Sequence, residues 1–211
     1  TQNCPLVILA CNTASAKALR TIQQHDLPRL NPQNRVLGVI RPTSEVIGSI
    51  TKTGKVGILA TTGTVQSESY AIEINKLSPE LEVFQQACPM WVPLVENNEH
   101  KSPGADYFIE KDIHQLLQKN GDIDTILLAC THYPLMIDKL RQLVPSSIQL
   151  LPQGGIVADS LQDYLERHPE MEKRCSRGGN RTFYTTDSEE DFDKRGAMFY
   201  GEEVDVHHLD L

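Results

Sequence analysis

The sequence predicts a doubly wound α/β protein built as two parallel-sheet domains related by pseudo-symmetry. Three observations predict it. Aliphatic runs of about five residues alternate with segments of helical composition along the whole chain, as in parallel strands joined by crossover helices. Glycine, proline and small polar residues separate one run from the next, which marks the breaks between elements. One pattern also occurs twice: Leu6-Val7-Ile8-Leu9-Ala10-Cys11-Asn12-Thr13 and Thr125-Ile126-Leu127-Leu128-Ala129-Cys130-Thr131-His132, with the cysteines 130 − 11 = 119 positions apart. Each reads as a buried parallel strand that delivers a thiol to its carboxyl end, where open α/β sheets place their ligand crevices.

Taken in order, the Cys11 strand leads into a helix over Thr13–Gln24, carried by Ala14, Ala16, Ala18 and Leu19 and capped by Asn12 or Thr13. A loop over 29–34 precedes the β-rich run Arg35–Ile40, and Pro42 with Thr43 introduces a short helix over 44–51. Strand Lys55–Ala60, the turn Thr61-Thr62-Gly63-Thr64, a helix over 65–76 and a strand over 81–86 follow. Residues 87–96, apolar with prolines at 89 and 93, read as a buried irregular connection, and 97–104 as a polar loop. Phe108, Ile109, Ile113, Leu116 and Leu117 give 106–119 the rhythm of an amphipathic helix. After the Cys130 strand, Pro134 fits the first turn of a helix running on over 135–143. A strand over 147–151, a turn at Gly154-Gly155 and a helix over 156–167 come next. Residues 168–180, rich in charge and glycine, read as disordered. Strand 181–185 and a helix over 189–200, started by Ser188 with Asp191 as a capping box, complete the pattern. The expected division is a discontinuous first domain, residues 1–42 plus 146–211, and a second domain, residues 43–145, inserted into it.

The chain has 211 residues, 39% hydrophobic and 23% charged, enough for two small domains that each bury a core. A net charge of −8 leaves no basic surplus to neutralise phosphates, so neither nucleic acid nor an anionic membrane is expected as the main partner. No apolar run approaches the roughly 20 residues of a spanning helix, and Thr1-Gln2-Asn3-Cys4-Pro5 lacks a basic region and a cleavage site. A cytoplasmic protein is the expectation.

Five cysteines, at 4, 11, 88, 130 and 175, are odd in number and include no Cys-x-x-Cys pair, which disfavours a disulfide framework or zinc ribbon. Cys4, Cys88 and Cys175 read as small buried hydrophobes. Cys11 and Cys130 differ because each stands at a strand-to-helix junction, where helix N–H groups favour the thiolate and lower its pKa below about 8.5. Asn12 and Thr13 beside the first, and Thr131 and His132 beside the second, add donors of the kind that bind carboxylates. Facing each other across an inter-domain cleft, two such sites would hold a small dianionic acid with one thiol on each side. That arrangement suits inversion at a carbon acid: one base removes a proton from one face and a conjugate acid returns one to the other. A positioned base contributes about 10²–10⁴-fold, so fixed donors around the developing carbanion must supply much of the remainder. A metal held by His132 with His207 and His208 is not expected, since a Cys-x-His pair falls short of a closed four-ligand set; the tandem histidines read as a solvated terminus. The glycine pairs match neither dinucleotide nor P-loop patterns.

Four segments carry a specific resemblance: Ala10-Cys11-Asn12-Thr13-Ala14-Ser15-Ala16, Ala60-Thr61-Thr62-Gly63-Thr64-Val65-Gln66-Ser67, Cys88-Pro89-Met90-Trp91-Val92-Pro93-Leu94-Val95-Glu96 and Cys130-Thr131-His132-Tyr133-Pro134-Leu135. In this order they resemble the signature segments of the bacterial glutamate racemases, and the similarity continues through Gly154-Gly155 and Phe183-Tyr184-Thr185-Thr186-Asp187. The two cysteine motifs mark the wider cofactor-independent Asp/Glu racemase superfamily; the Cys88–Glu96 segment points to glutamate racemase within it. The resemblance implies a cofactor-free enzyme, using neither pyridoxal phosphate nor metal, that takes glutamate as its small-molecule substrate and supplies D-glutamate for peptidoglycan and cell-wall biogenesis. It implies that Cys11 and Cys130 are the two acid/base thiols, that Asn12, Thr13, Thr64 and Thr131 hold the substrate's carboxylates and amine, and that His132, oriented by Glu96, assists Cys130. A homodimer is a family-level expectation. The family also has Asp-Ser-Gly and Pro-Tyr-Gly segments upstream of its first cysteine, which this chain lacks; the resemblance therefore implies a missing N-terminal stretch and an inactive isolated chain. Rival readings are a superfamily racemase or isomerase for aspartate, hydantoins or maleate, and a non-catalytic acid-binding protein that keeps the fold without the proton shuttle.

Overall fold

In the computed structural model, which describes residues 3–210, strand β1 (Leu6–Leu9) pairs in parallel with β2 (Arg35–Gly38), Leu9 opposite Gly38. Between them run α1 (Asn12–Lys17), α2 (Leu19–Thr21), a π turn (Ile22–Asp26) and α3 (Leu27–Leu30). The helix expected to end at Gln24 thus continues to Leu30, widened ahead of Pro28. That proline has no N–H to give the Gln24 carbonyl and its ring crowds it, which a wider turn relieves. Gly38 is required by close approach: a Cβ there would lie 2.5 Å from Leu19 Cδ2 and 3.0 Å from Ser15 Oγ.

Helix α4 (Ile40–Ile50) starts four residues before the expected Ser44, because Pro42 falls in its first turn, where no N–H is needed. Then come β3 (Lys55–Ala60), α5 (Thr62–Gln66), α6 (Ser69–Leu77), β4 (Glu82–Ala87), α7 (Trp91–Glu96), α8 (Pro103–Leu117), β5 (Thr125–Ala129), a 3₁₀ turn (Tyr133–Met136), α9 (Ile137–Leu143), β6 (Gln149–Pro152), α10 (Gly154–Arg167) and α11 (Pro169–Glu172). Glu68, at φ 54°, splits the helix expected over 65–76 into α5 and α6. The segment expected to be irregular before Glu96 contains α7, since Pro93 is its third residue and Pro89 precedes it; Trp91 and Val95, one turn apart, are both buried. Within the segment expected to be disordered, α11 is anchored by the buried Met171.

The main sheet has the order β4-β3-β5-β6, all parallel. β6 lies beyond the expected boundary at 145 and pairs with β5. The register is level at the carboxyl ends: Ala60 stands opposite both Ala87 and Ala129, and Leu128 opposite Pro152. Every residue of β5 is buried, and Ile47, Val56, Ile58, Tyr70, Ile74 and Leu127 pack into a core against this sheet. β1 departs from its expected burial, with Val7 40% and Ile8 37% exposed. The reason is coverage. β5 is flanked by β3 and β6, whereas β1 pairs only with β2 among the described residues.

The chain divides into two compact units between Cys175 and Ser176. The second consists of β7 (Phe183–Thr185), α12 (Glu189–Tyr200) and β8 (Val206–His208), with β7 and β8 parallel. The expected cap at Ser188 is present, its hydroxyl accepting from the Asp191 N–H at 3.3 Å. His207 and His208 are exposed, as expected of a solvated terminus, but they sit in a strand. No helix among the described residues is long and apolar enough to cross a membrane.

Candidate active site

The chain leaves β3 toward β4 on one side and β5 toward β6 on the other, so the strand order reverses between β3 and β5, the point where open α/β sheets place a ligand crevice. The level register places Thr61–Thr64, Cys88, Cys130 and Gln153 just beyond that edge.

Cys11 follows β1 and is the N-cap residue of α1. Its thiol is exposed and caps no N–H group of α1. Asn12 and Thr13, expected as caps, are instead the first two residues of the helix. Thr13 reaches across to the β3 turn, its hydroxyl 2.7 Å from that of Thr61 and 3.1 Å from that of Thr64. Thr61 and Thr64 hydroxyls are themselves 3.1 Å apart, closing a triangle. Gly63 permits this approach, since a Cβ would meet Thr13 Cγ2 at 3.0 Å and Lys17 Cε at 3.3 Å. Thr64 is fully buried. Asn12, only 2% exposed, turns its amide inward to Tyr70 and Gln153.

Around Cys130, His132 Nδ1 lies 3.8 Å from the sulfur and 3.4 Å from Thr131 Oγ1, and His132 Nε2 lies 3.2 Å from Glu96 Oε1. Glu96 is the last residue of α7, so the helix missing from the sequence reading is what brings this carboxylate to the histidine. Thr131 is exposed. The expectation of a thiol with lowered pKa fails for Cys130. It is 8% exposed, and burial pushes its pKa up to about 11; the His132 and Tyr133 backbone N–H groups pull it down by less, and negative charge at Cys11 and Glu96 pushes it further up. Desolvation of the charged form outweighs donors at the start of a four-residue 3₁₀ turn.

Of the three cysteines read as buried hydrophobes, only Cys88 is buried; Cys4 is exposed and Cys175 half-buried. Cys88 has its pKa raised well above the usual thiol range, first by burial and then by nearby Asp112. Sequence reasoning did not single out Thr61, Tyr70 or Gln153 for this site. Thr61 had a local signal, a hydroxyl three residues before Thr64 at a helix start. Tyr70 and Gln153 had none. Among the described residues no group of three or more His, Cys, Asp or Glu side chains is arranged to hold a metal ion.

Comparison with known proteins places the chain among relatives. A glutamate racemase of Streptococcus suis (strain 05ZYH33) is 34% identical over 212 aligned residues, covering 100% of this chain and 76% of the relative. One from Streptococcus gordonii is 36% identical over 216 aligned residues with the same coverage. Among solved structures, glutamate racemase isoform RacE1 from Bacillus anthracis superposes with a TM-score of 0.86 at 28% identity, covering 98% of this chain and 74% of that one. The glutamate racemase of Francisella tularensis, solved with D-glutamate, shares the fold at a TM-score of 0.81 and 23% identity, covering 98% and 73%. The model of the Asp/Glu/hydantoin racemase family matches residues 1–160. By that match, and by relatives that align with it from end to end, the chain belongs to the Asp/Glu/hydantoin racemase family.

Proposed function

We propose that this protein interconverts L- and D-glutamate by proton transfer at Cα between two thiols, Cys11 and Cys130. The observation that carries the reading is geometric: the hydroxyl of Thr13, two residues after Cys11, hydrogen-bonds Thr61 and Thr64 just beyond β3, whose carboxyl end is level with that of β5, which delivers Cys130. The relatives named above support glutamate as the substrate. In the direction in which Cys11 is the base, its thiolate takes the Cα proton and the substrate becomes a carbanion. The Cys130 thiol, neutral at rest because burial holds its pKa near 11, gives its proton to the opposite face. The products are the inverted amino acid, a Cys11 thiol and a Cys130 thiolate, so the reverse direction needs no further reagent.

At pH 7 a thiol of pKa about 11 is ionised in about one molecule in 10⁴, a cost of about 5 kcal/mol. His132, 3.8 Å away and tied to Glu96, is positioned to exchange a proton with Cys130 and so to lower that cost. Thr13 and Thr131 supply hydroxyl and backbone donors for the substrate's charged groups, with Thr64 and Asn12 buried behind them and holding those turns. The same reading includes a cytoplasmic location, a role in supplying D-glutamate for peptidoglycan, and homodimer formation.

The test gives each glutamate enantiomer in D₂O to the protein, following Cα deuteration by NMR. Exchange of both enantiomers is expected, with loss in Cys11→Ser and Cys130→Ser. If neither enantiomer exchanges, the racemase reading is lost; if exchange survives in both variants, the two-thiol mechanism is.

A further inference from the structure

Behind the Cys11 turn lies a closed ring of three hydrogen bonds that the chemistry above does not use. Asn12 Nδ2 donates to Gln153 Oε1 at 2.8 Å, Gln153 Nε2 donates to the Tyr70 hydroxyl, and the Tyr70 hydroxyl donates to Asn12 Oδ1 at 2.5 Å. Each group both gives and receives, so the ring runs in one sense and each bond polarises the next. Its members come from three distant segments: Asn12 opens α1, Tyr70 lies in α6, and Gln153 follows β6 as the N-cap residue of α10. Gln153 Nε2 also reaches Thr43 Oγ1 at 2.9 Å and the Val39 carbonyl at 3.4 Å, which ties in the start of α4. Tyr70 is fully buried, and Asn12 and Gln153 nearly so. Burial keeps the Tyr70 phenol neutral, with its pKa far above the usual range, so its proton stays available to Asn12.

A buried polar group left without a partner is costly, so the ring fixes the Asn12 side chain and with it the backbone that carries Cys11. Ser15 holds the other side of the same turn: its N–H donates to the Cys11 carbonyl at 2.9 Å and its hydroxyl to the Leu9 carbonyl at 2.7 Å. The ring also joins the β1 turn to the carboxyl end of the main sheet, where Cys130 stands; Tyr70 is near enough for charge at Cys130 to oppose its ionisation.

We propose that Tyr70 and Gln153 are positioning residues which, through Asn12, set the direction in which Cys11 presents its thiol toward the Cys130 side of the crevice. The proposal rests on the two-thiol reading for its catalytic consequence, but its structural content can be measured without turnover. Residues 1–211, wild type and as Tyr70→Phe, Gln153→Ala and Gln153→Glu, are alkylated with a limiting amount of iodoacetamide well below their melting temperatures. The ratio of Cys11 to Cys4 alkylation is then read by peptide mass spectrometry. A loosened turn raises that ratio in Tyr70→Phe and Gln153→Ala, whereas a loss of global stability alone leaves it unchanged. Gln153→Glu is the rescue variant: protonated, it keeps one donor and one acceptor and behaves as wild type; ionised, it loses the donor. Its ratio therefore rises with pH above that of wild type. In turnover of glutamate, Tyr70→Phe lowers kcat by about 10²-fold with little change in KM, as misplacement of a reacting group does. An unchanged ratio in the folded variants, with no added pH dependence in Gln153→Glu, overturns the proposal. A changed ratio in a protein that exchanges neither glutamate enantiomer leaves the positioning intact and refutes the racemase reading instead. If Tyr70→Phe does not fold, Gln153→Glu compared across pH decides alone.

Discussion

The raised pKa of Cys130 is the most consequential electrostatic feature of the site, and alkylation kinetics test it directly. Only the thiolate reacts. With a pKa of about 11, its fraction is about 10⁻⁴ at pH 7 and about 10⁻² at pH 9. In residues 1–211, the rate of Cys130 modification by iodoacetamide should therefore climb tenfold per pH unit from 6.5 to 9.5 without levelling, about a thousandfold in all. Limited access through an 8% exposed surface lowers the whole curve but leaves its slope unchanged. Timed quenches, digestion and mass spectrometry of the Cys130 peptide give the curve. One substitution probes its causes. Glu96→Gln removes a negative charge that opposes ionisation of Cys130, so it should speed alkylation at fixed pH by about two- to threefold. A plateau below pH 9 would refute the reasoning, since it would mean that the backbone donors of His132 and Tyr133 outweigh burial.

Gly57→Ala should cost about 1–3 kcal/mol through overpacking, because a Cβ in the centre of β3 would lie 2.8 Å from Leu116 Cδ2 and 3.2 Å from Ile126 Cγ1; a fall in Tm in residues 1–211 checks it. At Asp124 partial burial favours the neutral acid, but bonds from Thr51 Oγ1, the Lys52 and Thr53 N–H groups and Thr125 Oγ1 outweigh it and hold the pKa near 2. Its stabilisation is present above the unfolded value near 4 and is lost as pH falls from there toward 2. Asp124→Asn should therefore cost about 1–2 kcal/mol at pH 7, allowing for screening, and nearly nothing at pH 2 by chemical denaturation. Asp112 shows the opposite sign: burial raises its pKa, so folding favours its protonated form and that contribution is lost as pH rises through the folded value. Asp112→Asn should flatten this slope, giving a Tm at pH 8 at or above wild type and a smaller difference at acid pH.

The alternation of strands and helices and the delivery of Cys11 and Cys130 to two strand ends are determined by the sequence itself, because both follow from local periodicity and from residues adjacent in the chain. The family was legible for the same reason, its motifs being short and contiguous. Elements went astray where prolines were read only as breakers: Pro42 and Pro93 lie in first turns, and α7 is what carries Glu96 to His132. Tertiary structure decided the rest. The level register of β3, β4, β5 and β6 gathers Thr61, Cys88, Cys130 and Gln153 along one edge. Burial reverses the expected shift of Cys130. Asn12, read from its position as a donor facing a ligand, spends its amide on Tyr70 and Gln153, 58 and 141 residues away. Periodicity reports which face of an element is apolar; desolvation and hydrogen bonding between distant segments depend on what packs against that face, and a local pattern carries no record of it.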